Sequence, residues 1–159
     1  MPRVHRITME NACYHIITRG NQKQSVFLEC SDYDKYLSIV GKCKKKYKFK
    51  LYCFCLMPNH VHLIIDVGNP LMLSKIMKVL NLSYTRYFNF KYKKVGHLWQ
   101  DRFKSNIIEK DAYLLKCIDY IEANPIRASI VSHIDEYAWN SYSQRKMDNK
   151  EIVDELFSF

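Results

Sequence analysis

The sequence predicts an α+β fold built on a ferredoxin-like split βαβ antiparallel sheet. Strand-like and helix-like patterns follow one another as strand, helix, strand, strand, helix, strand and one further helix. The strand segments are rich in β-branched and aromatic residues, whereas apolar residues recur every three or four positions in the helical ones. No low-complexity linker, repeat or shift of composition interrupts the 159 residues, so we expect one domain over residues 1–159.

Local patterns and turn signals place the individual elements. In chain order they are a strand at 14–19, a helix after Ser31 as N-cap, strands at 49–56 and 60–67, a helix at 73–88, a basic loop at 89–96, a strand at 103–109, a helix at 111–124 stopped by Pro125, and an irregular segment at 139–142. Two helices are expected to cover one face of the sheet. The other face is then free to carry a site.

The charge balance favours a polyanionic partner. Lysine and arginine outnumber aspartate and glutamate by 25 to 16, which gives a formal net charge of +9. Basic residues cluster with aromatic ones at 42–48, 91–94 and 102–104, a combination that suits phosphate contact and base stacking. The alternative is a solvated basic surface without an acidic partner.

Other features of the composition predict a cytoplasmic protein. No stretch reaches the roughly 20 apolar residues of a membrane span, and the N-terminus lacks the apolar segment of a signal peptide. We therefore expect no membrane partner. The six cysteines form no Cys-x-x-Cys pair, so buried free thiols are favoured. A structural zinc site that combines Cys53 and Cys55 with histidines is the alternative.

His60 and His62 form the pattern that most directly indicates chemistry. Residues i and i+2 of a strand point to the same face, so the two imidazoles are expected side by side, as ligands of one divalent metal would be. Val61, Leu63 and Ile65 would then face the core. On spacing alone, two ordinary histidines remain an alternative.

The last predicted helix offers a second set of polar groups. Tyr120 and Asn124 are four residues apart and share a helix face beside the apolar stripe of Leu114, Ile118 and Ile121. Asp119 and Glu122 are expected to point elsewhere. The structural alternative makes Tyr120 a core-edge aromatic and Asn124 a helix C-terminal residue.

Several segments, in the same order along the chain, resemble the IS200-like tyrosine transposases of the HUH superfamily, and above all their REP-associated branch. The resemblance extends from about residue 10 to residue 143. The segments that carry it are YHIITRGN at 14–21, LMPNHVHL at 56–63, GHLWQDRFKS at 96–105, YIEANPIRA at 120–128 and WNSY at 139–142.

This resemblance implies a metal-dependent endonuclease and strand transferase that acts on single-stranded DNA, often beside a hairpin. It assigns His60, His62 and Asn124 as ligands of Mg²⁺ or Mn²⁺. It assigns Tyr120 as the nucleophile that forms a 5′-phosphotyrosine and leaves a free 3′-hydroxyl. The family also includes homodimers that exchange the tyrosine helix, so a homodimer is possible.

Further residues are candidates for the same site. Arg19, Arg102 and Lys104 are expected to contact phosphates. Trp99 is expected either to stack on a base or to fill a gap in the core. His15 and Asp66 are possible additional site residues. The alternative function is a domesticated, non-mobile protein of the REP type that binds DNA without transposition activity.

Overall fold

A computed structural model of the chain describes residues 5–146 and 152–155. Its sheet contains the strands β1 (Cys13–Arg19), β2 (Lys50–Met57), β3 (His60–Asp66) and β4 (Lys104–Ile108). The strands are ordered β2-β3-β1-β4, and all neighbours are antiparallel. This is the order of a split βαβ arrangement, which confirms the predicted fold class.

Helices occupy both faces of this sheet. They are α1 (Cys30–Tyr47), α2 (Leu73–Tyr92), α3 (Ala112–Glu122), α4 (Asn124–Arg127) and α5 (Ser141–Lys146). Among the described residues, no helix is long and apolar enough to span a membrane. Because α5 begins at Ser141, the segment 139–142, which was predicted to be irregular, contains the start of a short helix.

The main core lies between the sheet and the helices α1 and α2. Strand β3 contributes Val61, Leu63 and Ile65, all of them buried, as the alternation of the strand predicted. Tyr84 of α2 is fully buried in the same core, where its hydroxyl donates to the carbonyl of Val26 at 2.5 Å. The histidines of β3 consequently face the opposite side of the sheet.

The start of α1 and the end of α2 both differ from the prediction, because Asp32 links them. The N-cap is Glu29 and not Ser31, since the amides of Leu28 and Glu29 donate to Asp32 Oδ2 at 2.8 and 2.9 Å. Helix α2 continues to Tyr92, into the predicted basic loop, because Lys91 Nζ lies 2.9 Å from Asp32 Oδ1. Burial alone would raise the pKa of Asp32, but hydrogen bonds from Tyr92 and Lys91 lower it.

The second face of the sheet is covered in part by α3, which corrects the expectation that this face is free. Leu114, Ile118 and Ile121 pack against strand residues that include Cys53 and Ile64. The helical periodicity predicted this apolar stripe. The polar end of α3 is thereby placed over the strands that carry His15, His60 and His62.

Glu122, at the end of α3, was expected to point away from the packed face, and this expectation is wrong. Its side chain is 3% exposed. Ser141 Oγ donates to Glu122 Oε1 at 2.5 Å, and Arg145 forms an ion pair with the same oxygen. Asn140 Nδ2 donates to the carbonyl of Glu122 at 3.1 Å. The segment from Trp139 to α5 therefore holds down the C-terminal end of α3.

Replacement of Glu122 by alanine should destabilise the protein by about 3 kcal/mol, because it leaves Arg145 and Ser141 without their buried partner. Urea unfolding followed by circular dichroism measures this change. Asp119→Ala, an exposed position on the same helix, is the matched control and should stay within about 0.5 kcal/mol of the parent. Equal stability of the two variants would contradict the anchoring role.

Candidate metal and DNA site

His60 and His62 lie together on the second face of the sheet, as the strand period predicted. Their ring centroids are 5.0 Å apart, and the rings are roughly perpendicular. In the strand register His62 is opposite Ile17 of β1, and His60 is opposite Arg19. His62 is 9% exposed, whereas His60 is half-buried at the edge of the face. The ring of His62 is thus enclosed by the protein, whereas the ring of His60 borders solvent.

Each of these imidazoles contacts a polar side chain through Nδ1. His60 Nδ1 lies 2.7 Å from Asn59 Oδ1. His62 Nδ1 lies 3.0 Å from His15 Nε2, and the planes of the two rings differ by 24°, with centroids 5.2 Å apart. His15 is opposite Ile64, so it is a diagonal neighbour of His62 on the same face. The structure therefore brings His15 into the site.

Asn124 approaches the remaining nitrogen of His62. Its amide Nδ2 lies 2.8 Å from His62 Nε2. Helix α3 ends at Glu122, and Asn124 is the first residue of the single turn α4. Pro125 fits in this turn because the first residues of a helix need no backbone amide donor. Pro125 thus separates two helical segments instead of ending helical structure, and Asn124 is positioned at their junction.

The three histidines are held in an environment that disfavours their charged form. The pKa of His62 is lowered to about 3, mainly by burial and to a smaller extent by the neighbouring residues His60, His15, Arg127 and Arg19. Burial, with a contribution from Arg19, lowers the pKa of His60. Burial also lowers the pKa of His15. At neutral pH these side chains are neutral imidazoles, and each has one nitrogen lone pair available.

Tyr120 is presented to solvent near this cluster. It is 62% exposed and lines a cavity of about 370 Å³ together with His15 and with Tyr113, Lys116, Cys117 and Ile121 of α3. The guanidinium carbon of Arg127 lies 3.6 Å from the centroid of the Tyr120 ring. Arg127 is not among the residues predicted from the sequence, although its position seven residues, or two helical turns, after Tyr120 could have indicated that the two side chains are neighbours.

Arg19, Arg102 and Lys104 line one cleft, of about 250 Å³, together with Ile17, Gln100 and Asp101. The loop that carries Arg102 is attached to the end of β1, because Gln100 N donates to the carbonyl of Arg19 at 2.8 Å. A Cβ added to Gly20 would lie 2.3 Å from the carbonyl oxygen of Gln24, so only glycine fits at this close approach. The cleft extends the site from His60 towards β4.

Two predicted site residues lie elsewhere. Trp99 is 9% exposed and donates through Nε1 to the carbonyl of Asn81 at 3.3 Å, so the structure favours its core-filling role over base stacking. Asp66 pairs with Lys110 at 2.5 Å and accepts from the amide of Gly68 at 3.0 Å. It lies towards the other end of β3 and does not join the histidine cluster.

The zinc alternative is not favoured by the surroundings of the cysteines. Cys53 and Cys55 are buried in the core under α3. Burial raises the pKa of each thiol to about 12, which disfavours the thiolate that zinc requires. Within residues 5–146 and 152–155, no group of three or more His, Cys, Asp or Glu side chains is arranged to hold a metal ion.

Comparisons with known proteins give the family. The family described as "Transposase IS200 like" matches residues 8–124. A Haemophilus influenzae (strain ATCC 51907 / DSM 11121 / KW20 / Rd) protein assigned as a REP-associated tyrosine transposase is 27% identical over 124 residues, and the match covers 70% of this chain and 70% of that one.

Solved structures show the same fold. A REP-associated tyrosine transposase bound to a REP hairpin has a TM-score of 0.75 and 16% identity, over 100% of this chain and 95% of that one. A protein from Deinococcus radiodurans R1 assigned as a transposase has a TM-score of 0.54 and 18% identity, over 76% of this chain and 96% of that one. Because the family match spans most of its length, the chain belongs to the IS200-like transposases, a family of DNA-cleaving enzymes.

Proposed function

We propose that this protein is a metal-dependent endonuclease and strand transferase for single-stranded DNA, with Tyr120 as its nucleophile. The observation that carries the proposal is the contact between His62 Nε2 and the Asn124 side chain, at 2.8 Å. It joins His62 of β3 to the first residue of α4, the single turn that follows the helix carrying Tyr120. The family of DNA-cleaving enzymes to which the chain belongs supports the same assignment.

The side chains of His60, His62 and Asn124 fit a divalent ion. The two imidazoles are neutral, and rotation of the Asn124 amide by half a turn exchanges its nitrogen for its oxygen at the position beside His62. Two imidazoles and an amide oxygen suit Mn²⁺ better than Mg²⁺ on ligand preference. When bound, such an ion would polarise and orient the scissile phosphate.

Covalent chemistry would belong to Tyr120. Its hydroxyl oxygen attacks phosphorus and loses its proton, while the bond from phosphorus to the 3′ oxygen breaks and that oxygen is protonated. The products are a 5′-phosphotyrosine and a free 3′-hydroxyl. Because one phosphodiester is exchanged for another, the bond is kept for rejoining without ATP. Arg127, above the ring of Tyr120, would contact the same phosphate.

The DNA strand would cross the uncovered part of the second face. Arg19, Arg102 and Lys104 line the cleft on one side of the histidines, and the cavity beside Tyr120 lies on the other. Single-strand binding proteins use a similar positively charged groove. The REP-associated tyrosine transposase of similar fold is bound to a REP hairpin, so we propose that the substrate of this protein is single-stranded DNA flanked by a hairpin.

The nucleophile would act within its own chain. Asn124 contacts His62 of the same chain, and α3 packs through its apolar stripe on the same sheet. An exchange of α3 between two subunits would require this packing and the buried Glu122 contacts to be broken and reformed. A cis arrangement needs no such step.

Tyr120→Phe should abolish the covalent protein–DNA product, because phenylalanine has no attacking oxygen. Incubation of a labelled hairpin oligonucleotide with protein and Mn²⁺, followed by denaturing electrophoresis, detects that product. Tyr113→Phe is the matched control, since Tyr113 is a similarly exposed tyrosine two turns earlier on α3, and it should retain the product. A covalent product that persists in Tyr120→Phe would contradict the assignment of Tyr120 as the nucleophile. DNA binding by the parent protein without any cleavage would favour the non-catalytic alternative.

A co-expressed mixture of the Tyr120→Phe and His62→Ala proteins should form no covalent protein–DNA product if the tyrosine acts in cis. Each chain then lacks one half of its own site. Exchange of α3 between subunits would instead create composite sites with both halves intact. Recovery of the covalent product in the co-expressed mixture would therefore contradict the cis arrangement.

Removal of the charges of Arg102 and Lys104 should weaken DNA binding and reduce its dependence on salt. Each phosphate contact of a single strand contributes about 0.7 to the slope of log K against log salt, so the double alanine variant should lose about 1.4. Fluorescence anisotropy at several salt concentrations measures the slope. Lys45→Ala/Lys46→Ala, on α1 behind the sheet, is the control, and an equal loss in that variant would place the DNA elsewhere.

A further inference from the structure

Two side chains outside the proposed ligand set contact its histidines from behind. His15 Nε2 lies 3.0 Å from His62 Nδ1, and Asn59 Oδ1 lies 2.7 Å from His60 Nδ1. Nδ1 and Nε2 stand on opposite edges of an imidazole ring. His62 meets Asn124 through Nε2, so His15 is on the far side of the ring and cannot share an ion with Asn124 there.

These contacts determine which ring nitrogen carries the proton. A neutral imidazole has one N–H donor and one lone pair. Asn59 Nδ2 faces the carbonyl of Lys23 at 3.5 Å, which leaves Oδ1 beside His60; this oxygen can only accept, so His60 Nδ1 carries the proton and donates it. For His62, donation from Nδ1 to His15 Nε2 is the arrangement that leaves a lone pair on Nε2, beside Asn124. Both histidines then keep an Nε2 lone pair that can bind a cation.

We propose that His15 and Asn59 are positioning residues that hold His60 and His62 in the Nδ1–H tautomer, with Nε2 free to bind a divalent cation. The proposal rests on the metal site described under Proposed function. The contact between His62 Nδ1 and His15 Nε2 also restricts the rotation of the ligand ring. Outer contacts of this kind orient metal-binding histidines, and their loss typically weakens metal affinity by about 10- to 100-fold.

Substitutions at position 15 separate the hydrogen bond from simple packing. His15→Phe keeps a ring against His62 but removes the acceptor, whereas His15→Gln can place its Oε1 near the position of the lost Nε2. We expect His15→Phe to weaken Mn²⁺ binding by at least about 10-fold and His15→Gln to recover most of it. At position 59, Asn59→Leu should weaken binding in the same way, and Asn59→Asp, which retains the acceptor, should not.

Two measurements on the full chain, neither of which uses DNA, test the proposal. Titration calorimetry gives the Mn²⁺ dissociation constant, and long-range ¹H–¹⁵N NMR of the metal-free protein reports the tautomer of each histidine. The parent should show Nδ1–H at His60 and His62, and His15→Phe should populate Nε2–H at His62. His133→Phe, at an exposed position, is the control for the loss of a histidine, and circular dichroism verifies that each variant is folded.

The outcomes distinguish this proposal from the proposed function. Tight Mn²⁺ binding by the parent, its loss in His62→Ala and unchanged affinity in a folded His15→Phe protein would overturn the positioning role alone. Failure of the parent to bind Mn²⁺ would overturn both the metal site and the positioning role. A weakened His15→Phe protein that His15→Gln does not rescue would indicate packing, and would also reject the hydrogen-bond assignment.

Discussion

The docking of α3 on the second face of the sheet is the constraint on which the candidate site depends. Leu114, Ile118 and Ile121 anchor the helix, and the buried carboxylate of Glu122 fixes its end against α5. With the helix in this place, Asn124 reaches His62 of β3, and Tyr120 lines a cavity together with His15. The apolar contacts set the position of the helix, and the polar contacts at Glu122 set where it ends.

The sheet supplies the rigid half of the site. Alternation along β3 sends Val61, Leu63 and Ile65 into the main core, so His60 and His62 can face only the opposite side. A shift of one residue in register would expose that apolar set and bury the histidines. The orientation of the histidine pair is therefore stabilised by the whole main core, although no residue of that core faces the site.

The sequence predicted the parts of the site that depend on local periodicity. Strand parity gave the common face of His60 and His62, and helical spacing gave the stripe of α3. Contacts that depend on pairing between distant segments could not be predicted in this way. His15 meets His62 only through the register of β1 with β3, and Glu122 is buried only because Ser141 and Arg145 return to cover it. Trp99 lies among basic residues in the sequence, but its ring belongs to the core.

The chemistry of the donors suits a site that handles a polyanion. Two imidazoles and an amide carry no negative charge, so they would leave the full charge of a divalent ion available to phosphate oxygens. Carboxylate ligands would neutralise that charge, and Asp66, towards the other end of β3, is instead paired with Lys110. Burial, with neighbouring charges that include Arg127 and Arg19, lowers the pKa of His62 and keeps its ring neutral. In the proposed function the same two arginines would also attract the DNA backbone.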